Sequence, residues 1–515
     1  MEKLLYQLKV KPILKALKDP GAAQEKRLQE LLKYAAGTHY GKRHGFSDIR
    51  SYEEFVRNVP VNQYQDFQPL IGQELKGISN ILYPEPIEVV LSSSGSTGAP
   101  KLIPQTAFCM KALKRLRMIS FAAAGHIRPF LHGKIMVMVA PSVFSKIGDW
   151  DVGYGTGQAM KGGGRIMTSK VVPSPDVFDI TDWEEKYRET IRQGVETPNV
   201  TACGGITSFI LSLLRRVKYE SYDWLIEDPQ LSAKARTRLK AARTDEGTID
   251  LKSLWPQMSV IFHGGIVRDL YEPMIYDMVG DVHIHEVYSG TEACYGVQLY
   301  GDYPGVAPMV DDVIFEFAEV MEGPLPSTVE TIPLSDVKVN TPYRLVVTTP
   351  SSLWRYDVHD LVTFSSLDPI TLRCLGKSKN ILNLSGEKVS EQHISAALAM
   401  ASEEQDALVQ EFVVAPQVSA GGARYHLFVE FSKPPTDLQR FAAIFDAKLQ
   451  EVNHLYWEVR TANTVGLAVI HLVPSGNFET YELSRLQSEH CVIGQTKMPR
   501  ITSVDHAQQM LISTA

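Results

Sequence analysis

The sequence predicts an α/β protein with a large N-terminal domain, whose mainly parallel sheets are flanked by helices, and a small, mobile α+β C-terminal domain. Apolar runs typical of strands alternate with helical segments between residues 108 and 290, as expected for a parallel sheet covered by helices on both faces. A β-α-β pattern over residues 425–472 follows a polar, turn-rich segment at residues 376–391. We therefore place the two domains at residues 1–378 and 379–515.

The individual elements follow from the spacing of the apolar residues. Leucines at helical spacing predict two helices within residues 1–40, and residues 108–124 predict a longer helix. The elements expected to alternate in the large domain are strands 135–140, 200–202, 258–262 and 282–287 and helices 183–193, 208–217 and 232–242. In the small domain, strands 425–431 and 467–472 are expected to flank a helix at 438–452. Ligands of such a parallel sheet are expected beyond the carboxyl ends of its strands.

Composition narrows the class of protein. The chain has 515 residues, of which 44% are hydrophobic and 22% charged, and its net charge is −7. These proportions are those of an average soluble globular protein, and the mild acidity argues against a nucleic-acid partner. The N-terminus lacks a signal-peptide pattern, no apolar run predicts a membrane helix, and five scattered cysteines without a C-x-x-C pair are typical of a reduced compartment. We expect a cytoplasmic monomer or homodimer without a membrane partner.

The stretch VVLSSSGSTGAPKLIP at residues 89–104 is typical of a loop that binds a polyphosphate. Its glycines allow close backbone approach, so successive N–H groups can converge on phosphate oxygens, while hydroxyls add donors and a lysine adds positive charge. The spacing G-x-x-G-x-x-K differs from that of a Walker P-loop and from the G-x-S-x-G elbow of hydrolases. The candidate phosphate-binding residues are Ser92, Ser93, Ser94, Gly95, Ser96, Thr97, Gly98 and Lys101.

A second candidate segment, YSGTEACYG at residues 288–296, directly follows an apolar strand. Tyr288 at the strand end can stack on a base, and Glu292 can hold Mg²⁺ on phosphate oxygens, since hard cations prefer carboxylates. The alternative interpretation is ordinary turn chemistry.

Two more segments carry isolated polar candidates. In WRYDVHD at residues 354–360, expected to enter a strand at 361–364, Asp360 can accept hydrogen bonds from both hydroxyls of a ribose. The alternative there is a surface salt bridge between Arg355 and Asp357. In IGQTKMPR at residues 493–500, Lys497 can reach a phosphoryl or carboxylate oxygen in another domain, or can simply be solvated.

In this order the segments resemble the motifs of the adenylate-forming superfamily, which includes acyl-CoA synthetases and peptide-synthetase adenylation domains. SSGSTGAPK resembles the phosphate loop of that superfamily, and residues 376–389 resemble its hinge motif, which places the hinge residue at Lys379. The remaining matches are to the segments around adenine, magnesium and ribose, and they comprise His263, Gly264 and Gly265, then Tyr288, Ser289, Gly290, Thr291 and Glu292, and finally Asp360.

Within the superfamily the chain resembles the GH3 acyl-acid amido synthetases over nearly its whole length. VPVNQYQDFQPLI at residues 59–71, YSGTEACYG, LVPSGNFE at residues 472–479 and the ending GQTKMPR are similar to GH3 segments. Two departures are visible. The phosphate loop has the general superfamily form, and Asp357 and His359 stand where the GH3 pattern Y-R-x-G-D has arginine and glycine. The acyl substrate therefore stays open.

The resemblance implies a two-step reaction with ATP and Mg²⁺. A carboxylic acid is first adenylated, with Lys101, Glu292 as the metal ligand, and Lys497 in catalytic roles. An amine, such as an amino acid, then takes the acyl group to form an amide while the small domain turns about Lys379. Candidate residues lining the acyl pocket are Arg115, Arg117 and Phe121, near Trp150 and Val287.

Other interpretations stay open at this point. An acyl-CoA synthetase would use the same adenylate and form a thioester instead. A scaffold that binds an adenylate without catalysis would be favoured if the lysines and acids were missing, but they are present. A serine hydrolase would need an elbow that is absent. His283 and His285 share a strand face, yet two ligands do not complete a zinc site.

Overall fold

The computed structural model describes residues 2–512 except for residues 94–100, 162–167, 181, 206, 265–267, 302–304, 322, 379–381, 383, 386, 388, 420–421, 463 and 489–498. The described residues divide into two compact units. The first lies within residues 1–374 apart from residues 268–277, and the second comprises residues 268–277 and 375–512. In the described residues, no helix is long and apolar enough to cross a membrane.

Among the described residues, the chain begins with five helices, helices and strands then alternate up to residue 283, and eight strands follow between residues 283 and 377. The described α-helices are Glu2–Ala16, Pro20–Ala35, His39–Arg43, Tyr52–Asn58, Tyr64–Glu74, Ala107–Ile127, Gly155–Lys161, Pro175–Phe178, Trp183–Glu196, Thr207–Glu220, Tyr222–Glu227, Ala233–Ala241, Leu251–Leu254, Arg268–Val279, Glu391–Glu404, Leu438–Val452, His454–Thr461, Asn477–Ser488 and Val504–Leu511. The strands are β1 (Ile87–Ser92), β2 (Leu102–Thr106), β3 (Lys134–Met138), β4 (Ser145–Ile147), β5 (Trp150–Gly153), β6 (Val171–Val172), β7 (Val200–Gly205), β8 (Val260–His263), β9 (His283–Ser289), β10 (Cys294–Val297), β11 (Ala307–Pro308), β12 (Ile314–Ala318), β13 (Thr331–Pro333), β14 (Tyr343–Thr348), β15 (Tyr356–Leu367), β16 (Ile370–Lys377), β17 (Leu408–Ser419), β18 (Gly422–Lys433) and β19 (Val469–Val473).

A seven-stranded sheet in the order β11-β10-β9-β8-β7-β3-β6 forms the centre of the first unit. Strands β6, β3, β7, β8 and β9 pair in parallel, and only β10 and β11 run antiparallel at one edge. The predicted parallel sheet and its flanking helices are therefore confirmed. The apolar runs were informative because parallel strands are buried on both faces, as Ile135, Ala202 and Val260 are here.

Two further sheets of the first unit were predicted only in part, since the strand expected at residues 361–364 lies within β15 of one of them. One has the order β2-β1-β5-β4 and mixes parallel and antiparallel pairs, and the other has the order β13-β12-β14-β15-β16. The phosphate loop connects β1 to β2 in an antiparallel hairpin. The helix predicted at residues 108–124 is observed at Ala107–Ile127, directly after the unpredicted strand β2.

The two N-terminal helices are confirmed, and polar side chains dock them on the large unit. The Glu2 carboxylate accepts hydrogen bonds of 2.8 Å from the N–H groups of Phe130 and Leu131. Gln24 donates to the carbonyls of Val310 and Val313, both at 2.7 Å. These bonds satisfy loop backbone groups that would otherwise be buried without partners.

The second unit contains the predicted β-α-β pattern. Strand β18 pairs antiparallel with β17 and parallel with β19, and the connection contains the helix Leu438–Val452 at its predicted bounds. Phe441, Phe445 and Leu449 are fully buried along one stripe of that helix, which is why its amphipathic spacing identified it. A second helix, His454–Thr461, lies in the same connection and was not predicted.

Candidate active site

The carboxyl ends of strands β8 and β9 bring two predicted segments together. His263 ends β8 and is buried, and Tyr288 lies near the end of β9, its parallel neighbour. The adjoining Gly264 N–H donates to the Thr207 hydroxyl at 2.9 Å. A Cβ at Gly264 would lie 2.9 Å from the Val287 carbonyl oxygen, so only glycine passes this point without displacing β9. Ligand sites of open α/β sheets form at such strand ends.

Lys101 stands at the closing end of the phosphate loop. The Ser93 N–H donates to the Lys101 carbonyl, and the Lys101 N–H donates to the Ser93 hydroxyl, both at 2.9 Å. One residue further on, the Leu102 N–H donates to the Tyr64 hydroxyl at 2.8 Å, and that hydroxyl donates to the Leu102 carbonyl at 3.2 Å. The base of the loop is thus held on both sides, which fixes where the Lys101 side chain starts.

The Lys101 ammonium lies beside the Glu292 carboxylate. Lys101 Nζ donates to the Tyr356 hydroxyl at 2.6 Å and lies 4.0 Å from Glu292 Oε1. The Tyr356 hydroxyl donates to Glu292 Oε1 at 3.4 Å, and the Tyr295 hydroxyl donates to Glu292 Oε2 at 3.5 Å. Burial raises the pKa of both phenols well above the ordinary value, and the Glu292 charge raises it further. Both phenols therefore stay protonated and available as donors.

Tyr288 and Asp360 form the second half of the site. The Tyr288 hydroxyl donates to Asp360 Oδ2 at 2.6 Å, and the Tyr288 ring lies 5.0 Å from the Tyr295 ring between centroids. Burial raises the pKa of Tyr288, and the neighbouring Asp360 carboxylate adds to the effect. A continuous series of contacts therefore links Lys101 to Asp360 through Tyr356, Glu292 and the two other tyrosines.

A β-bulge sets the position of Asp360. Val346 faces Asp357 across β14 and β15, whereas Arg344 faces Leu361, so three residues of β15 oppose one of β14. Within this bulge His359 has φ +64°, a left-handed conformation that favours glycine and explains the glycine of the Y-R-x-G-D pattern. The expectation that Asp360 precedes the strand was wrong, since β15 already begins at Tyr356.

A buried ion pair holds the bulge. Arg344 Nε and one terminal nitrogen donate to the two carboxylate oxygens of Asp357, each at 2.8 Å, and the same terminal nitrogen contacts His359 Nδ1 at 2.6 Å. The His359 N–H donates to Asp357 Oδ1 at 2.9 Å. Burial alone would raise the pKa of Asp357, but hydrogen bonds and charge from Arg344 outweigh it and lower the pKa. The two departures from the family pattern, Asp357 and His359, therefore act together.

The alternative of a surface salt bridge between Arg355 and Asp357 was wrong. Arg355 is buried and pairs with the buried Glu316 at 2.8 Å, while also donating to the carbonyls of Val56 and Val59 at 3.0 and 2.7 Å. Arg355 has φ +45° immediately before β15, and this backbone turn directs its side chain away from Asp357. The misassignment arose because residues two apart share a face only within a regular strand, and Arg355 precedes β15 with a left-handed backbone.

The segment VPVNQYQ connects the two halves of the site to the N-terminal region. The Asn62 N–H donates to the Arg355 carbonyl at 2.9 Å, and the Asp357 N–H donates to the Asn62 carbonyl at 2.9 Å. Gln63 Nε2 donates to Asp357 Oδ2 at 2.9 Å. Tyr64 in turn bonds to Leu102 at the base of the phosphate loop. The consecutive residues Asn62, Gln63 and Tyr64 therefore position both that loop and the beginning of β15.

The structure brings together most of the predicted site residues that it describes. Lys101, Glu292, Tyr288 and Asp360 share one network, Ser92 and Ser93 lie at the start of the phosphate loop, and His263 and Gly264 end the neighbouring strand β8. In the turn between β9 and β10, Ser289, Gly290 and Thr291 precede Glu292, and a Cβ at Gly290 would lie 2.5 Å from Glu292 Oε2. The predicted residues that lie outside the described residues are Ser94, Gly95, Ser96, Thr97, Gly98, Gly265, Lys379 and Lys497.

The network also includes three residues that sequence reasoning had not assigned to the site, namely Tyr64, Tyr295 and Tyr356. Each lies inside a segment that had been singled out, so the motif boundaries were the available signal. Their roles could not be predicted, because the sequence does not show which polar group a partly or fully buried tyrosine hydroxyl contacts.

The candidate acyl-pocket residues have different surroundings. Arg115 forms ion pairs with Asp311 and Asp312, and the Phe121 ring packs 5.1 Å from Phe262 between centroids. Arg117 is partly buried, and this burial lowers its pKa. The aromatic contacts place Phe121 in the core beneath the strand ends.

The residues present are compatible with one bound Mg²⁺ held jointly with phosphate. Among the described residues no group of three or more histidine, cysteine, aspartate or glutamate side chains could hold a metal ion. His283 Nε2 and His285 Nδ1 lie 3.4 Å apart. Within the part of the chain that the structure describes, this histidine pair has no third ligand that would complete a zinc site. Mg²⁺ commonly uses one or two carboxylates together with substrate phosphates and water, and Glu292 beside Lys101 matches this donor set.

In the second unit, Arg500 is held by several hydrogen bonds. Arg500 Nε donates to Glu391 Oε1 at 3.1 Å and one terminal nitrogen donates to Glu411 and to the Phe412 carbonyl. The Val414 N–H donates to the Arg500 carbonyl at 2.8 Å. Arg500 of this segment therefore has its partners within its own unit.

Solved structures with the same fold define the class of protein. The GH3.15 acyl acid amido synthetase matches with a TM-score of 0.78 and 20% identity, covering 97% of this chain and 95% of that chain. A 2-hydroxyisobutyryl-CoA ligase in complex with 2-HIB-AMP matches with a TM-score of 0.60 and 16% identity, covering 95% and 90%. The fold is that of the adenylate-forming enzymes.

Domain models and curated relatives define the family. The GH3 family N-terminal, central and C-terminal domains match residues 9–228, 306–376 and 392–505. A jasmonoyl–L-amino acid synthetase JAR4 of Nicotiana attenuata is 22% identical, covering 94% of this chain and 91% of its own length. An indole-3-acetic acid-amido synthetase GH3.3 of Arabidopsis thaliana is 24% identical, covering 95% and 91%. The chain belongs to the GH3 family, as the sequence motifs predicted.

Proposed function

We propose that this protein is an AMP-forming ligase that activates a carboxylic acid with ATP to an acyl-adenylate and transfers the acyl group to an amine, giving an amide. The observation that carries the proposal is the network of Lys101, Tyr356, Glu292, Tyr288 and Asp360, which adjoins the carboxyl end of strand β9. These residues come from three distant parts of a chain that belongs to the GH3 family, and they supply the charges that an adenylation reaction needs.

The first step joins the acid to the α-phosphate of ATP and releases pyrophosphate. Catalysis of phosphoryl-type chemistry depends mainly on positioning and charge neutralisation. Lys101, with the hydroxyl and N–H donors of Ser92, Ser93, Ser94, Gly95, Ser96, Thr97 and Gly98, would bind the β,γ-phosphates. Asp360 would accept hydrogen bonds from the ribose hydroxyls. Mg²⁺ held by Glu292 would offset negative charge on the phosphate oxygens.

Adenine would lie against the ends of β8 and β9. Tyr288 presents an aromatic face there, and His263 with Gly264 and Gly265 would border the base. The absence of a side chain at Gly264 supports this arrangement. A Cβ there would lie 2.9 Å from the Val287 carbonyl oxygen, so glycine lets the backbone approach β9 closely.

The second step transfers the acyl group to the acceptor, with AMP as the leaving group. We propose that the domains 1–378 and 379–515 change their relative orientation about Lys379 between the two steps, as hinge transitions do. Lys497 would orient the carboxylate and the α-phosphate in the first step. The anchoring of Arg500 three residues later supports this role, since it fixes one end of the segment that carries Lys497.

An amino compound is the acceptor that the family relationship favours. The relatives named above are synthetases of amino acid conjugates, whereas the CoA ligase shares only the fold. CoA is therefore the alternative acceptor, and it would give a thioester from the same adenylate. We further propose a cytoplasmic location, on the grounds of the scattered cysteines.

A screen of carboxylic acids for acid-dependent ATP–pyrophosphate exchange tests the first step. The Lys101→Met variant provides the background, because it removes the charge at the phosphate loop. Acids that support exchange are then incubated with amino acids or with CoA, and the products are identified by mass spectrometry. If none of the acids in a library of aromatic, aliphatic and hydroxy acids supported exchange, the result would count against the proposal. A thioester product would show that CoA, and not an amine, is the acceptor.

A further inference from the structure

We infer that Tyr356 is a positioning residue that holds the Lys101 ammonium against the Glu292 carboxylate, so that the nucleotide-free site keeps its own charges paired until ATP and Mg²⁺ enter. The inference rests on the proposed function, because it assigns Lys101 to the phosphates and Glu292 to the metal ion. It adds a residue that acts through these two and that touches neither substrate.

The hydrogen-bond directions fit one arrangement. An ammonium only donates, so the 2.6 Å contact between Lys101 Nζ and the Tyr356 hydroxyl uses the phenol oxygen as acceptor. The phenol proton is then directed to Glu292 Oε1 at 3.4 Å. The hydroxyl therefore relays a hydrogen bond between two groups of opposite charge whose direct separation is 4.0 Å. A phenylalanine ring would fill the same space and lose both bonds.

The surroundings make this hydroxyl effective. Tyr356 is fully buried, and Glu292 is 9% exposed, whereas the Lys101 side chain retains 26% exposure. Lys101 is thus the mobile partner, with a flexible stem and access to solvent. Its Nζ lies 5.3 Å from the centroid of the Tyr356 ring and 5.8 Å from that of Tyr64, distances at which aromatic faces attract cations. These contacts limit where the ammonium can lie.

The position of Tyr356 is itself strongly determined. It is the first residue of β15, it faces Val347 across the sheet, and its backbone pairs with Asn62. The flanking N–H of Asp357 and carbonyl of Arg355 both bond to the Asn62 backbone at 2.9 Å. A hydroxyl fixed in this way can hold a lysine at one place because hydrogen bonds on both sides hold the main chain beneath it.

Loss of the Tyr356 hydroxyl should lower the affinity for MgATP and leave the rate at saturating MgATP almost unchanged. When the ammonium is held near its working position, the entropic cost of ordering it on the phosphates is already met in the free protein. Loss of the hydroxyl should weaken binding of MgATP about tenfold, on the order of the rotamer entropy that is lost when one lysine side chain is fixed. The rate at saturating MgATP should stay within about twofold, because Lys101 is still present and can still reach the phosphates.

The test compares Tyr356→Phe with the matched control Tyr343→Phe. Tyr343 is a buried tyrosine of the neighbouring strand β14, and its hydroxyl accepts a hydrogen bond from the Lys338 N–H at 3.0 Å. ATP–pyrophosphate exchange is measured over a range of MgATP, together with calorimetric binding of MgATP without acid. We expect a raised KM and Kd with nearly unchanged kcat for Tyr356→Phe, and wild-type values for Tyr343→Phe. An unchanged KM, or a fall in kcat alone, would overturn the inference.

A double-mutant cycle separates action through Lys101 from a general structural effect. MgATP binding is compared for the wild type, Tyr356→Phe, Lys101→Met and the double variant. If Tyr356 acts through Lys101, its substitution should change Kd less than twofold once Lys101 is methionine. An equal tenfold effect in both backgrounds would refute the positioning role. If Tyr356→Phe does not fold, 3-fluorotyrosine at position 356 keeps the shape and weakens the acceptor, and an unchanged Kd would then refute it.

The outcomes also distinguish this inference from the proposed function. A wild-type protein that binds MgATP but supports no acid-dependent exchange would contradict the proposed function and leave the binding cycle interpretable. A wild type that adenylates acids, paired with a Tyr356→Phe variant of equal MgATP affinity, would contradict only the inference.

Discussion

Replacement of His393 by glutamine should prevent a loss of folding stability that the second unit otherwise shows as the pH falls. His393 is the third residue of the helix Glu391–Glu404, and its Nδ1 accepts hydrogen bonds from the Ser390 N–H at 3.1 Å and from Asn453 Nδ2 at 2.9 Å. The Asn453 amide is oriented because its Oδ1 accepts from the Tyr456 N–H. A proton on Nδ1 would therefore face two donors at the N-termini of two helices, where positive charge is unfavourable.

The magnitude follows from the pKa of this imidazole. Burial lowers the pKa of His393 from 6.5 to about 4. The folded state therefore disfavours the proton, so the stability contributed by neutral His393 is complete above pH 6.5 and is lost as the pH falls from 6.5 towards 4. At about 1.4 kcal/mol per pH unit, the loss is about 2 kcal/mol at pH 5 and about 3 kcal/mol at pH 4.

Glutamine at position 393 would complete the usual capping box, since its amide oxygen accepts the Ser390 N–H and does not titrate. We expect His393→Gln to match the wild type at pH 7.5 and to be about 2 kcal/mol more stable at pH 5. Hydrogen exchange at several urea concentrations measures this in peptides from the helix Glu391–Glu404. Peptides from Trp183–Glu196 in the first unit serve as the internal reference for the effect of pH on exchange itself.

A matched control exists in the same unit. His506 occupies the same position after Ser503 in the helix Val504–Leu511, but its side chain is exposed. His506→Gln should leave the pH dependence of that helix unchanged. If the wild type and His393→Gln lost stability in parallel between pH 7.5 and pH 5, the assignment of the effect to His393 would be wrong.

Three further substitutions address the site and its support. Asp360→Asn should raise the KM for ATP about tenfold with a nearly unchanged kcat, because an amide has fewer acceptor sites for the ribose hydroxyls; a lower kcat at constant KM would argue against a ribose contact. Lys497→Ala should abolish acid-dependent pyrophosphate release while the melting temperature stays the same, and unimpaired adenylation would remove its role. Arg344→Met should lower the free energy of unfolding of the first unit by about 3–5 kcal/mol, because it leaves the buried Asp357 without its bidentate partner. Urea unfolding measures this change, and the double variant with Asp357→Asn should recover part of the loss.

Local sequence patterns were sufficient for the elements whose chemistry is local. Strands β3, β7 and β8 were predicted because each is a short run buried on both faces, and β9 was predicted from its apolar residues Ile284 and Val287. The hairpin strand β2 was missed, since LIPQT contains a proline and a glutamine and does not alternate clearly between apolar and polar residues. The short strands β12 and β13 were missed for a different reason, because β12 pairs with β13 and with β14 across intervening loops.

The candidate site divides in the same way. Glu292 and Asp360 were identifiable because each belongs to a segment whose order of residue types is characteristic, and both lie in one network. Tyr356 was not identifiable, since its contacts with Lys101 and Glu292 span 255 and 64 residues. The charged partners of Arg355 and Asp357 were misread for the same physical reason.

By itself, the sequence determined the order and type of the main elements, the family, and the residue types available for binding a nucleotide and a metal ion. Hydrophobic periodicity and turn chemistry act over a few residues and can be read directly from the chain. Only the tertiary structure decided that Arg344 pairs with Asp357 and Arg355 with Glu316, and that a phenol lies between Lys101 and Glu292. Those contacts depend on strand register and on the bulge in β15, where a shift of one residue turns a side chain to the other face of the sheet.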